Sequence, residues 1–156
     1  MSHGQLGSGP AYWTVQSKSG LVIELGNCDT SCIVSHQTSG ALVWAVNRVS
    51  DTLGNFFNVV YKRDTTDIPD PNVPDSIDYR PLHIDYTGNN KTGLKPYLRV
   101  KFEYTSRPDQ SFGFMSGVKV HSTKLLKKIG IYYTGSGSDK ELYTCLLYTS
   151  PSPRDA

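Results

Sequence analysis

Four histidines, His3, His36, His83 and His121, are the side chains best suited to moving protons near neutral pH. A nucleophilic mechanism would set one of them beside a Ser or Cys, with an acid to orient the imidazole. The four are scattered along the chain, no Gly-x-Ser-x-Gly elbow occurs, and a hydrolase built on that geometry is disfavoured. Gly7-Ser8-Gly9 and Gly135-Ser136-Gly137-Ser138 read as flexible turns.

Cys28 and Cys32 lie four positions apart with His36 close by. Three readings stay open for them: loop thiols without a required role, a local disulfide, or part of a zinc site. The zinc reading needs about four ligands and only His36 is near. Asp64, Asp67, Asp70 and Asp75 suggest calcium, which takes six to eight oxygens, but the alternate-position ligands and turn glycine of a loop site are missing. These aspartates read as a solvated loop. Trp13, Trp44 and the tyrosines would suit stacking against a sugar, although aromatics on strands more often serve the core. Arg107-Pro108-Asp109 reads as a turn held by the proline and an Arg/Asp pair, with a recognition role as its rival. No residue is assigned as catalytic, cofactor-binding or metal-binding, and no cofactor is expected.

The elements that would carry these residues are strands. The chain has 156 residues, 37% hydrophobic and 19% charged, with 14 Gly, 9 Pro and 17 aromatics (2 Trp, 10 Tyr, 5 Phe). Nothing sustains a helical period, so an all-α fold is set aside. No apolar run reaches the 18 or so residues of a spanning helix, and the first thirty positions lack the build of a signal peptide. Sixteen Lys and Arg against fourteen Asp and Glu give +2 with the signs interspersed. A nucleic-acid or anionic-membrane partner would need a basic stripe, so neither is expected.

Residues 12–25 read as a hairpin around Gly20, and 41–61 as a second hairpin around Asp51 to Asn55. Between them, Asn27 to Gly40 is polar and reads as a loop. Lys62 to Ser76 holds four Asp and three Pro and reads as another. Thr87 to Asn90 reads as a turn. Leu98, Val100, Phe102 and Tyr104 alternate with Arg99, Lys101 and Glu103, which predicts a strand with one packed and one wet face. Trp44 is expected to be buried near the second hairpin. Val118 to Val120, Ile129 to Tyr133 and Leu142-Tyr143 extend the pattern. Helix is conceivable only at Ser122 to Lys128, too short to stand alone. The expected class is all-β: antiparallel hairpins in an extended, twisted sheet.

The end of the chain changes character. Cys145 to Asp155 reads as the in-frame translation of a transposase sequencing adapter, which makes 145–156 a non-native tail and 1–144 a partial domain. On that reading the natural gene continues past Thr144, and Cys28 and Cys32 are the remaining cysteines.

Several phrases in fixed order carry a family resemblance: Trp13-Thr14-Val15 to Gly20, Glu24-Leu25-Gly26-Asn27, Val43 to Asp51, Gly54-Asn55, Ile84 to Asn89, Val100 to Tyr104 and Arg107-Pro108-Asp109. Over residues 8–144 the chain resembles the amino-terminal SpvB-type domain of the B components of insecticidal toxin complexes (TcdB-like) and related Rhs/YD-repeat proteins. The resemblance implies a non-enzymatic part of a secreted bacterial shell of β-sheets that encloses a toxic carboxy-terminal segment. Its implied partners are the rest of its own toxin chain and other toxin-complex subunits. The alternative is a β-rich carbohydrate- or receptor-binding module of a bacterial surface protein.

Overall fold

A computed structural model describes residues 1–34, 40–66, 76–135 and 137–147. None of these residues is helical. Eleven strands form: β1 (Ser2–His3), β2 (Tyr12–Gln16), β3 (Val22–Leu25), β4 (Cys32–Val34), β5 (Ala41–Trp44), β6 (Val46–Ser50), β7 (Asn55–Thr66), β8 (Ser76–Asn89), β9 (Leu98–Met115), β10 (Val118–Tyr133) and β11 (Lys140–Leu146). Nine make one sheet in the order β1-β2-β3-β6-β7-β8-β9-β10-β11, and β4 with β5 forms a separate two-stranded ladder. The all-β expectation holds, and neighbours in sequence are mostly neighbours in space, as hairpin connections dictate.

The first hairpin closes at Gly20, whose φ of 86° is open to glycine without strain. The second expected hairpin divides at Ala45. Its N–H donates to Ser31 O at 2.9 Å and its carbonyl accepts from Gly26 N–H at 2.9 Å, so the chain leaves β5 and its ladder with β4 and enters the large sheet at that residue. Gly26 is needed beneath the Trp44 ring, because a Cβ there would lie 2.5 Å from Trp44 Cδ1. Trp44 is half-buried rather than buried; its indole N–H is shared between Pro10 O at 3.1 Å and Ala11 O at 3.2 Å.

Other sequence expectations are corrected by the ladders. The polar stretch Asn27 to Gly40 contains β4, whose Ile33 is fully buried. The expected loop from Lys62 is strand as far as Thr66, paired along β8. Thr87 to Asn89 stays in β8, with Thr87 at φ 77°, and the reversal follows at Asn90 to Gly93. Ser122 to Lys128 is strand inside β10, because β9 supplies a ladder partner to residues that make too short a helix. Arg107-Pro108-Asp109 is no chain reversal. Ser111 pairs with Ser122 and Ser106 with Lys124, so 107–110 bulge opposite Thr123 alone. Proline, with no N–H to give a ladder, is tolerated at such a bulge.

The start of β8 leaves the line of β9 and pairs in parallel with β10, Ser76 with Lys119 and Ile77 with Val120. At this crossing Ile33, Ile77 and Val118 are fully buried, with Leu42, Val43 and Tyr79 packed around them. The β4–β5 ladder is thereby the cover of the crossing. Away from it the sheet is open. Leu98 to Tyr104 are half-buried on both faces, so the expected contrast between a packed face and a wet one is absent.

Candidate functional site

Among the described residues, polar groups gather most densely on one face of β8 to β11. The register sets Asp85 opposite Arg99, His83 opposite Lys101, Glu103 opposite Lys128 and Tyr132 opposite Arg99 on the far side, while Tyr132 also faces Glu141. Period two along each strand puts these residues on the same face. Arg99 grips Asp85 with both arms, Nε to Oδ1 at 2.6 Å and Nη2 to Oδ2 at 3.0 Å. His83 Nε2 lies 3.4 Å from Asp85 Oδ2, and Asp139 approaches Arg99 at 3.9 Å.

Farther along, Lys128 Nζ donates to Glu141 Oε2 at 2.9 Å and sits 3.7 Å from Glu103. The buried Tyr132 hydroxyl donates to Glu141 at 2.9 Å and lies 3.4 Å from Glu103 Oε1, with Lys101 Nζ 5.8 Å from the ring centroid. The hydrogen bond to Glu141 raises Lys128 above its ordinary value. The same bond, joined by that from Tyr132, lowers Glu141. The hydrogen bond to Asp85 raises Arg99. Burial, reinforced by Arg99, lowers His83. The carboxylates on this strip are engaged by two cations, Asp85 and Asp139 by Arg99, and Glu103 and Glu141 by Lys128, while Lys101 lies over the Tyr132 ring. Such a strip fixes the register of four strands; of its groups, His83 is the one whose charge changes near neutral pH.

A second surface lies at the tip of the β9–β10 hairpin. Phe112 and Phe114 are 63% and 64% exposed. Their rings meet edge to face with centroids 6.2 Å apart, Lys119 Nζ lies 4.3 Å from the Phe112 centroid, and His121 stacks at a tilt 5.9 Å away. A shallow pocket of about 340 Å³ opens elsewhere, lined by Leu21, Val49, Phe56, Phe57 and Tyr86 among others.

The structure separates the candidates the sequence suggested. His3 stacks on Tyr12 at 4.6 Å, His83 is on the strip and His121 is at the hairpin tip, while His36 lies outside the described residues. Asp64 pairs with Arg80 at 2.6 Å and Lys62 at 3.8 Å, and Asp67, Asp70 and Asp75 lie outside the described residues. No group of three or more His, Cys, Asp or Glu converges for a metal among the described residues. Trp13 meets Trp44 edge-on at 6.1 Å, so they do not present a flat platform. Arg107 binds Asp109 at 2.9 Å, the expected pair, and also Ser122 Oγ at 2.9 Å. The strip itself was partly visible as the alternation at 99, 101 and 103 and as His83-Ile84-Asp85, two same-face residues at strand spacing. Its partners on β10 and β11 follow from register alone.

These features define a class: an open antiparallel sheet whose faces are balanced by ion pairs and half-buried apolar side chains, with a small packed node at one crossing. No family model and no curated protein matches the sequence. Solved structures do share the fold. The N-terminal domain of the effector protein SpvB from Salmonella typhimurium strain LT2 superposes with a TM-score of 0.73 at 15% identity, covering 94% of this chain and 58% of that one. A TcdB2–TccC3 crystal structure matches with a TM-score of 0.70 at 12% identity over 94% of this chain and 9% of that one. A Photorhabdus luminescens Tc holotoxin pore matches at 0.67 and 13% identity, over 88% and 8%. The chain thus has a toxin-complex-like fold, and it spans 58% of the SpvB domain and less than a tenth of the larger toxin chains. No helix among the described residues is long and apolar enough to cross a membrane.

Proposed function

We propose that this chain is a non-enzymatic wall segment of a secreted bacterial toxin-complex-like or Rhs-like shell that encloses a toxic cargo segment. The observation that carries the proposal is the open nine-stranded sheet in the fold of SpvB and TcdB2–TccC3 chains. A free-standing domain of this size would ordinarily cover one face with a second layer. A wall instead needs strands that continue into neighbours, and faces that tolerate cargo on one side and solvent on the other. The paired carboxylates of the β8–β11 strip suit containment, since Asp85 and Asp139 are held by Arg99, and Glu103 and Glu141 by Lys128. The partners on this reading are the rest of its own toxin chain and other toxin-complex subunits.

The test is electron cryomicroscopy of the complete gene product with its cognate subunits, combined with protease protection of the cargo segment. A closed wall that includes β1 to β11, with a protected cargo, is the expected result. An isolated module on a stalk, with cargo cleaved as fast as a free peptide, overturns the proposal. That second outcome would favour a carbohydrate- or receptor-binding module, for which the exposed Phe112 and Phe114 are the supporting observation. Loss of cell-surface binding in the Phe112→Ser/Phe114→Ser double variant would then establish the rival.

A further inference from the structure

We propose that the outer edge of β9 at Ser111 to Met115 docks a second copy of this chain, the two edges running antiparallel about a two-fold axis at Gly113. The sheet leaves that edge open. β9 borders β8 through Leu98 to Lys101, but where the start of β8 moves over to β10, β10 lies between β8 and the far half of β9. Among the described residues, Ser111 to Met115 therefore have ladder partners on β10 alone. Alternate residues of such a strand turn their N–H and C=O groups outward, a template for another strand.

Sheets ordinarily blunt a free edge with charge, proline or brevity. β1, at one end of the sheet, has two residues, and β11, at the other, carries Lys140 and Glu141. From Gln110 to Gly117 the β9 edge has neither a charge nor a proline. It presents instead Phe112, Phe114 and Met115, which are 63%, 64% and 40% exposed. Pro108, in the bulge just upstream, has no N–H to give a ladder and limits how far a docked strand can run.

The edge complements itself. With Gly113 opposite Gly113 of the second copy, each Phe112 falls opposite the other chain's Phe114, an aromatic cross-strand pair made twice. Shifting the register by two residues either way sets one phenylalanine of each copy against Gln110 or Ser116. A Cβ at Gly113 would meet nothing within 4 Å, so the axis position is open. Lys119, whose Nζ lies 4.3 Å from the Phe112 centroid, is one strand inward on β10. Its two copies would be three strand spacings apart, about 14 Å, beyond the Debye length of about 8 Å at physiological salt. An uncharged edge favours an uncharged strand, and its alternating phenylalanines favour one with aromatics at the same positions, which this strand itself supplies. This inference does not depend on the proposed shell.

The test uses the full chain with its free thiols Cys28, Cys32 and Cys145 replaced by Ser. Sedimentation over a dilution series is expected to show a monomer–dimer equilibrium, which Gly113→Lys shifts to monomer. Register is read by cross-linking. Residues directly opposite in antiparallel strands have Cα atoms about 4.5 or 5.5 Å apart, within the span of about 4.4–6.8 Å that a disulfide bridges. Gly113→Cys is therefore expected to form a covalent dimer under mild oxidation. Phe112→Cys, whose two copies would be diagonal at about 7–8 Å, is expected to cross-link to Phe114→Cys in an isotope-labelled mixture faster than to itself. A monomer at every concentration, assemblies larger than two, a dimer that survives Gly113→Lys, no covalent dimer from Gly113→Cys, or Phe112→Cys joining itself faster than Phe114→Cys would each overturn the proposal. Folding of each variant is read by far-UV circular dichroism. If Gly113→Lys fails it, Phe112→Ser/Phe114→Ser takes its place with the same expected loss of dimer.

Discussion

The crossing of β8 over β10 and the outer ladder of β9 to β11 are built from the same kind of strand but held by different forces. At the crossing, Ile33, Ile77 and Val118 are dry, and the buried Asp78 carboxylate accepts from both Thr123 N–H at 2.9 Å and the Thr123 hydroxyl. Asp78 there supplies the acceptor that the bulged β9 does not offer. In the outer ladder, every residue of β11 is exposed, and cross-strand pairs such as Lys128–Glu141 replace a core. Exposed ion pairs typically contribute about 0–1 kcal/mol, whereas a buried aliphatic side chain contributes about 1.5–3 kcal/mol through desolvation alone. Stability is therefore concentrated at a node, while the rest of the sheet is held by its ladders.

The largest expected break in this comparison is Ile77→Ala. The side chain is 1% exposed and enclosed by Ile33 and Val118, so the loss is expected in the range of about 2–5 kcal/mol, measured as the free energy of urea unfolding. A loss below that of Phe102→Ala would place the stable node elsewhere.

Asp78→Ala comes next. It leaves the Thr123 N–H without its acceptor and removes the carboxylate that lies 3.6 Å from the 11%-exposed Arg80 side chain. A buried donor left unsatisfied costs about 1–3 kcal/mol. Asp78→Asn, which keeps an acceptor oxygen, is expected to recover part of that loss in the same unfolding measurement, and equal losses in the two variants would assign the effect to charge instead.

Phe102→Ala and Lys101→Ala sharpen the contrast from the outer side. A fully packed Phe102 would be expected to cost about 3–5 kcal/mol on truncation. The observed half-burial reduces the expectation to about 1–2 kcal/mol of lost desolvation, with Lys101→Ala within about 0.5 kcal/mol. Paired thermal or urea unfolding of the two variants measures the difference. A Phe102→Ala loss as large as that of Ile77→Ala would show that a second layer covers this face in solution.

What the sequence made legible follows the reach of each signal. Short-range signals read correctly. Gly20 closes the first hairpin, and Asp51 Oδ1 accepts from Leu53 and Asn55 N–H at 2.9 and 2.8 Å in the second turn. The strict alternation from Leu98 to Tyr104 is strand. Signals that depend on a distant partner did not. Ile33 sits in a Ser/Thr-rich stretch and becomes core only because Ile77 and Val118 arrive beside it. Lys124 to Lys128 has a helix-like composition but is claimed by β9. Asp78 and Thr123 are 45 residues apart, and their contact exists only through the bulge at 107–110. The ion-pair strip falls between: its residues on one strand were visible, whereas their pairing needed the register.

The smallest effect concerns pH. His83, with its side chain 16% exposed, faces Asp85 and Arg99, with Lys101 opposite on β9 and Asp139 beyond, so an added proton meets two cations as well as two carboxylates. Burial and Arg99 together outweigh Asp85 and hold its pKa below the ordinary value. The unfolded chain therefore takes up the proton first. Above about pH 6.5, the ordinary histidine value, the imidazole is neutral in both states and His83 adds no pH dependence. As pH falls from there through the lowered folded value, stability is lost because the unfolded state binds more protons. His83→Gln is expected to reduce the fall in unfolding free energy between pH 7.5 and 5.5, both measured in urea. Val118→Ala at the dry crossing is expected to lower stability equally at both pH values and leave that fall unchanged. The contrast separates a titrating strip from a non-titrating node. An unchanged pH dependence in His83→Gln would show that His83 takes up its proton as readily in the folded chain as in the unfolded one, with Asp85 offsetting what burial and Arg99 impose.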